Sequence, residues 1–234
     1  MAGGSRYYQF MLRPVAPDLW VTERPQRLLG IEMGTRMTVV RLVDGGLLVH
    51  SPVQLDEVTR RDLDGLGPVR AVVAPNRYHH LHVSAYFAAY PEGRVFGAPG
   101  LPEKRRDLPF HAVLSDEAPP LWAGQLHQLV FRALPVLNEV VFWHPPTRTL
   151  ITTDLVSNIR HAEGLPARMF FWLDGTLGRF NASRMWRLLV RDRAAARVAI
   201  DRLLLWDFDR VVLAHGDILE TGGRQAMRSS FAWL

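Results

Sequence analysis

Three short β-branched runs each carry this chain straight to a side chain that can bind a cation or move a proton. "VRAVVAP" leads into "NRYHHLH", "LITT" into Asp154, and "VVLA" into His215-Gly216-Asp217. Brief apolar runs bounded by Pro, Gly or Asp read as buried strands, and a buried strand fixes the place of the loop at its end. A chain with three such ends is constrained to sheets whose strand ends can meet. At the first of them the local pattern is strand, loop, helix, because "LHVSAYFAAY" spaces its aromatic and aliphatic residues helically and stops at Pro91-Glu92-Gly93.

The flanking segments supply the rest of an α/β pattern. In "TVVRLVDGGLLVH" two β-rich runs surround Asp44-Gly45, a strong hairpin signal. "LDEVTRRDLDGL" places Leu55, Val58 and Leu63 among charges, as in a surface helix stopped by Gly65 and Gly67. "QLHQLVFRAL", "NEVVFWH" and "LITTD" read as a β-meander. Asn181 and Asp192 are predicted helix N-caps. Residues 94–120 read as loop-rich, and 157–174 as irregular with aromatics in "RMFFWLDG" that form core or pocket wall. With 234 residues, 48% of them hydrophobic, the chain can bury a core unaided, and it reads as one domain over 1–234.

Composition removes several chemistries. Without cysteine there are no disulfides or thiolate metal sites, so a nucleophile must be oxygen, nitrogen or a bound water. The net charge of +5 is almost all arginine, since Lys104 is the only lysine. Arginines interspersed with acids, as in "RRDLDG" and "RDRAAARVAIDR", suggest solvated faces, and a nucleic-acid partner is not expected. No apolar run approaches membrane-spanning length and "MAGGSRYYQF" lacks a leader pattern, so the expected location is the cytoplasm, with no membrane partner. No G-x-S-x-G elbow, Walker loop, G-x-G-x-x-G or H-E-x-x-H motif occurs.

Imidazole and carboxylate are the ligands that borderline cations accept without thiolate, and a catalytic site needs about three of them plus an open position. The order of these features resembles the metallo-β-lactamase superfamily. "RLVDGGLLVHSP" looks like its opening strands, "VVAPNRYHH" its metal loop, "RTLITTD" its aspartate strand and "RVVLAHGD" its last loop, so Asp154 and His215 match metal ligands. In the metal loop, Asn76 and Tyr78 fall where the family has its first two histidines, His80 on its aspartate and Leu81 on the following histidine, with His79 at a spacer position. Glu139 is the residue nearest to a further family histidine. The departure resembles an uncharacterised branch in which His-His replaces the standard motif.

The resemblance implies an α/β fold with two mixed β-sheets packed face to face and helices outside, in four αββα layers. It implies one divalent metal, zinc first with iron or manganese as alternatives, on His80, Asp154 and His215, with His79 or Glu139 as a further ligand or a proton carrier. Tyr78 would donate to a substrate oxyanion. The expected activity is hydrolysis of a small ester, amide, thioester or phosphoester by a metal-activated water. A degenerate domain without metal that binds a metabolite or a protein stays open, as does redox chemistry at iron. Taken singly, the histidine pair could be solvated polar residues, Asp154 a turn former and His215 a buried structural histidine. His50 stands where the family's opening strand commonly has an acid, and a structural role is open for it too.

Overall fold

The first half of the chain folds into a largely buried sheet in the computed structural model, which describes residues 11–28 and 30–234. β1 (Arg13–Ala16) and β2 (Leu19–Arg24) form a hairpin, and β3 (Arg27–Leu28) with β4 (Ile31–Glu32) a small separate arm. β5 (Thr35–Arg41) and β6 (Leu47–His50) flank the Asp-Gly turn, where Gly45 has a φ of 81° and Asp44 Oδ1 accepts from Gly46 N at 2.9 Å. α1 (Glu57–Leu66) starts on Asp56, whose side chain accepts from Thr59 N, and ends at Gly67. β7 (Val69–Ala74), α2 (Val83–Ala89), β8 (Arg94–Gly97), α3 (Leu101–Lys104) and β9 (Ala112–Val113) follow.

These strands make a seven-stranded sheet in the order β1-β2-β5-β6-β7-β8-β9, antiparallel as far as β6 and parallel beyond it. Beyond the exposed Arg70, β7 is covered on both faces, which is why Ala71 to Ala74 is a continuous apolar run and not an alternating one.

The second half begins with the antiparallel strands β10 (His127–Phe131), β11 (Glu139–His144) and β12 (Thr149–Ile151). An excursion through β13 (Ser157–Asn158), α4 (Leu165–Asp174), β14 (Phe180–Asn181), α5 (Arg184–Leu189) and α6 (Arg193–Leu203) comes next. β15 (Arg210–Val212) then returns parallel to β12, and α7 (Gly223–Ser230) closes the chain.

The two sheets face each other across a shared core. Val21, Val40, Val73 and Phe96 of the first meet Val130, Phe142, Ile151 and Val212 of the second around the buried Trp122. Behind the first sheet, Val49 and Val72 pack with Leu63 of α1 and Tyr86 of α2. Behind the second, Leu129, Val141 and Val211 pack with Ile200 and Leu203 of α6 and Met227 of α7. Each fully buried side chain of this kind contributes about 1.5–3 kcal/mol over leaving it in water. The result is the four-layer αββα sandwich with two mixed sheets that the resemblance implies.

Two local expectations fail for identifiable reasons. The cap of α5 is Ser183, whose hydroxyl accepts from Trp186 N, whereas Asn181 pairs with Ser157 across β13 and β14 and donates Nδ2 to Gly175 O. Residues 157–174 are not irregular throughout: Pro166 opens α4 and Gly175, at a φ of 78°, ends it. A proline at a helix start and a left-handed glycine just past its end mark such a helix, and the aromatics in between mask its periodicity.

Candidate metal centre

The loop after β7 is folded by one side chain. Asn76 Oδ1 accepts from Tyr78 N at 2.7 Å and His79 N at 2.8 Å, the local turn asparagine favours. Its Nδ2 donates to Thr153 Oγ1 at 2.8 Å and Asp154 Oδ2 at 2.7 Å, tying this loop to the one after β12. That second loop is built on Glu139, at the start of β11. Its carboxylate accepts from Thr153 N and Asp154 N at 2.7 Å each, from Leu155 N at 2.9 Å and from the Thr152 hydroxyl.

The third loop is held by Arg36 of β5, which donates to Gly216 O at 2.7 Å and to Leu213 O. Gly216 has a φ of 93°, and a Cβ there would lie 2.2 Å from Asn158 O, so only glycine fits after His215.

These three loops bring His79, Asp154 and His215 together, with one ligand atom from each inside a 4.8 Å span. His79 Nε2 lies 3.4 Å from Asp154 Oδ2, and His215 Nε2 lies 3.0 Å from Asp154 Oδ1. His215 Nδ1 is 2.7 Å from Gly34 O. A carbonyl only accepts, so Nδ1 carries the proton and the Nε2 lone pair is aimed at the carboxylate. Two lone pairs at that distance require a cation between them, either a proton or a metal ion. His79 Nδ1 is hydrogen-bonded to Ser51 Oγ at 2.7 Å, a hydroxyl that can donate or accept, so this contact orients the ring without fixing its tautomer.

Electrostatics agrees with this geometry. Burial by itself would raise the Asp154 carboxyl, but the His79 charge and the hydrogen bonds from His215 and His79 outweigh it and hold Asp154 well below the usual carboxylate range. Burial lowers the His215 imidazole, and the Asp154 hydrogen bond and charge more than reverse this, so it is raised. Without a metal the pair is an imidazolium on a carboxylate.

Residues 17–167 match the protein family described as Domain of unknown function (DUF4336). The chain belongs to that family. Its fold is that of the metallo-β-lactamases. The DUF4336 chain superposes on a metallo-β-lactamase from Erythrobacter litoralis with a TM-score of 0.70 at 12% identity, covering 98% of this chain and 99% of that one. For a metallo-β-lactamase from Pontibacter korlensis the TM-score is 0.65 at 14% identity, covering 96% and 99%. A metal-soaked Flv1 flavodiiron core from Synechocystis sp. PCC6803 gives 0.65 at 14% identity, covering 96% of this chain and 60% of that one. No curated protein matches the sequence.

Within this DUF4336 fold the sequence-expected residues separate. Asp154 and His215 meet, but the imidazole that joins them is that of His79. His80 faces the other way: its Nδ1 accepts from Arg105 Nη1 at 2.8 Å. Burial, then Lys104, then Arg105 push it down to about 4, so it is a neutral histidine anchoring the segment after α3. Asn76 tightens the turn, so that His79 at the spacer position points into the centre and the buried His80 at the aligned position points away from it, toward Arg105.

Glu139 is not disposed as a ligand either, since its oxygens are filled by loop donors. Burial and then the Asp154 charge push its carboxyl up, and the donors oppose them. Tyr78 is on the rim, 43% exposed, with its ring between the Lys104 ammonium at 4.8 Å and Trp186 at 6.1 Å.

His50 is fully buried edge-on to Phe142 and has no partner for Nε2. Burial, then the His79 charge, take it down to about 3, so it is neutral. Beside the His215 loop a cleft of about 510 Å³ is lined by Asn158, Arg160, His161, Gly178, Asp217 and Ile218.

Sequence reading missed Asn76, Ser51, Gly34 and Arg36 as organisers of the centre. Only Asn76 carried a signal, the Pro-Asn break at a strand end. The other three act from β5 (Arg36), from just before it (Gly34) and from just after β6 (Ser51), at separations that no local pattern reveals.

Proposed function

We propose that this DUF4336 protein is a metal-dependent hydrolase of a small ester, amide, thioester or phosphoester, with one divalent cation held by His79, Asp154 and His215. The observation that carries this is the pair of imidazoles whose Nδ1 atoms are tied off by Ser51 and Gly34 while both Nε2 atoms face one carboxylate. Histidine ligands are oriented in this way, by a hydrogen bond on the nitrogen remote from the metal. Two histidines and a carboxylate suit zinc with an open position, and the same set is used by non-haem iron, so zinc is the first candidate and iron the second.

A divalent cation, when bound, would supply Lewis-acid polarisation and lower the pKa of a water to about 7. The protein's own groups supply the rest. Asn76 holds Asp154 by Oδ2 and so fixes the carboxylate plane. The Tyr78 phenol, on the rim, is the donor for a developing oxyanion. The cleft beside the His215 loop is the place for the remainder of the substrate, with Arg160 as its cationic wall. The partner is a small molecule, not nucleic acid, and the location the cytoplasm; among the described residues no helix is long and apolar enough to cross a membrane.

A second reading is favoured by two observations: Asn76 and Tyr78 stand where the resemblance puts the superfamily's first two histidines, and His79, Asp154 and His215 satisfy one another as ion pairs. On that reading the pocket binds a metabolite or a protein without catalysis.

The test is a panel of aryl esters, thioesters, anilides and phosphodiesters, assayed with protein as purified, after chelation and after zinc or iron is restored. At least one class should be turned over, with activity falling at least about tenfold on chelation and returning with metal. Turnover that survives complete removal of metal would contradict the proposal. So would a metal-loaded protein inert toward every class, and that outcome would favour the binding module.

A further inference from the structure

The charge of this chain is not spread evenly, and its arginines are less balanced by acids than the sequence pattern suggests. Residues 160–198 hold eight arginines and only Glu163, Asp174 and Asp192, a net +5, while the rest of the chain carries twenty cationic and twenty anionic residues. The whole net charge therefore resides in the segment that contains α4, α5 and the start of α6.

None of those eight arginines forms an ion pair among the described residues, whereas twelve arginines elsewhere do. Arg179 and Arg184 reach only the backbone carbonyls of Gly175 and Leu173. Arg187 and Arg193 lie over the Trp233 ring at 5.5 and 5.6 Å, and Arg187 also donates to Asn181 Oδ1, while the exposed Arg168, Arg179, Arg184 and Arg191 are among those whose charge no acid of the described residues pairs.

The same segment exposes apolar surface. Of fifteen exposed large hydrophobic residues among those described, seven lie between Leu165 and Leu189. On α4, Leu165, Met169, Trp172 and Leu173 recur at helical spacing and are 56–77% exposed, opposite the buried Ala167 and Phe171. On α5, Leu188 is 86% exposed and Leu189 45%. Asp174, at the end of α4, accepts from Ser183 Oγ at 2.6 Å and Met185 N at 3.3 Å, so α5 begins where α4 stops and the two apolar stripes adjoin. Arg168 sits one turn from both Leu165 and Trp172. Apolar patches rimmed by charge mark interaction surfaces.

We infer that the outer face of α4 and α5 docks on an anionic lipid bilayer, with Trp172, Met169 and Leu188 entering the headgroup boundary and the flanking arginines meeting lipid phosphates and carboxylates. A helix with tryptophan and leucine on one side and arginine around it lies in the plane of a membrane interface. Basic clusters add attraction to anionic lipid that decays within a Debye length. Among the described residues no helix is long and apolar enough to cross a bilayer, and lying on one needs no such helix. A second copy of the chain is a poorer occupant, because a two-fold contact through this face would set one arginine-rich rim against another. α4 also packs through Phe170 and Phe171 against Ile31 and Met33, next to the Gly34 carbonyl that orients His215, so docking would hold this side of the candidate centre toward the membrane.

The test is sedimentation of the full chain with sucrose-loaded vesicles of phosphatidylcholine alone, or with about a third of phosphatidylserine, at low and high salt. Binding is expected to the anionic vesicles only, and to weaken with salt. It should fall at least tenfold in the double variant Trp172→Ser/Leu188→Ser and in Arg168→Glu/Arg191→Glu, Arg191 being exposed two residues past the end of α5. All four side chains are exposed, so circular dichroism and melting of both variants should match the parent. Absence of sedimentation, equal binding to neutral vesicles, or undiminished binding by both well-folded variants would overturn the proposal. A dimer in sedimentation equilibrium that the first variant dissociates, with no vesicle binding, would overturn it in favour of a second copy on this face.

Discussion

Replacing Glu139 by alanine is expected to destabilise the fold by about 3–5 kcal/mol, the cost of removing one partner from a buried charged network. The side chain has no exposed surface, and it is the acceptor for the backbone N–H groups of Thr153, Asp154 and Leu155 and for the Thr152 hydroxyl. Alanine leaves these donors buried without an acceptor, each costing about 1–3 kcal/mol before relaxation. Glutamine keeps the volume but turns one oxygen into an N–H that must face another N–H, so Glu139→Gln should lose about half as much. Urea unfolding followed by circular dichroism reads both. A loss below about 1 kcal/mol for the alanine variant would show that the loop does not depend on this carboxylate.

The second large effect is on metal affinity. Asp154 is the one group that both histidines face, so Asp154→Ala should weaken zinc binding by more than about 100-fold, beyond what loss of a mere orienting partner costs. Asn76→Ala, which frees the carboxylate and loosens the turn without removing a ligand, should fall within the range of about 10–100-fold. Competition with a chromophoric chelator separates the two. Equal affinities for the parent and Asp154→Ala would remove the carboxylate from the site; equal losses in both variants would make Asp154 an orienting group only.

Much of the fold was legible because its signals are local. The Asp44-Gly45 turn, the Asp192 cap and the buried β7 each announce themselves within a few residues, and the order of strand ends carried the superfamily resemblance. Two elements were illegible for opposite reasons: α4 because its exposed face is apolar, which erases helical contrast, and the α5 cap because Asn181 and Ser183 are both good caps and only the β13–β14 pairing distinguishes them.

The site was legible as three strand ends but not atom by atom. Whether His79 or His80 turns inward depends on the Asn76 turn, and a shift of one residue reverses the two. Glu139 has the right chemistry for a ligand and lies beside the site, yet its lone pairs are consumed by a loop whose path no sequence spacing discloses. Gly34 and Arg36 act from one sheet on the His215 loop of the other, Ser51 acts from the strand end beside that of β7, and all three are visible only in three dimensions.

The central claim is that His79, not His80, completes a metal centre with Asp154 and His215. The most direct measurement is elemental analysis of the untagged protein, reconstituted with zinc or iron, beside its His79→Ala, His80→Ala and His215→Ala variants. The parent and His80→Ala should hold about one metal per chain, and His79→Ala and His215→Ala close to none. No metal in the reconstituted parent, or metal lost with His80 and kept without His79, would contradict it.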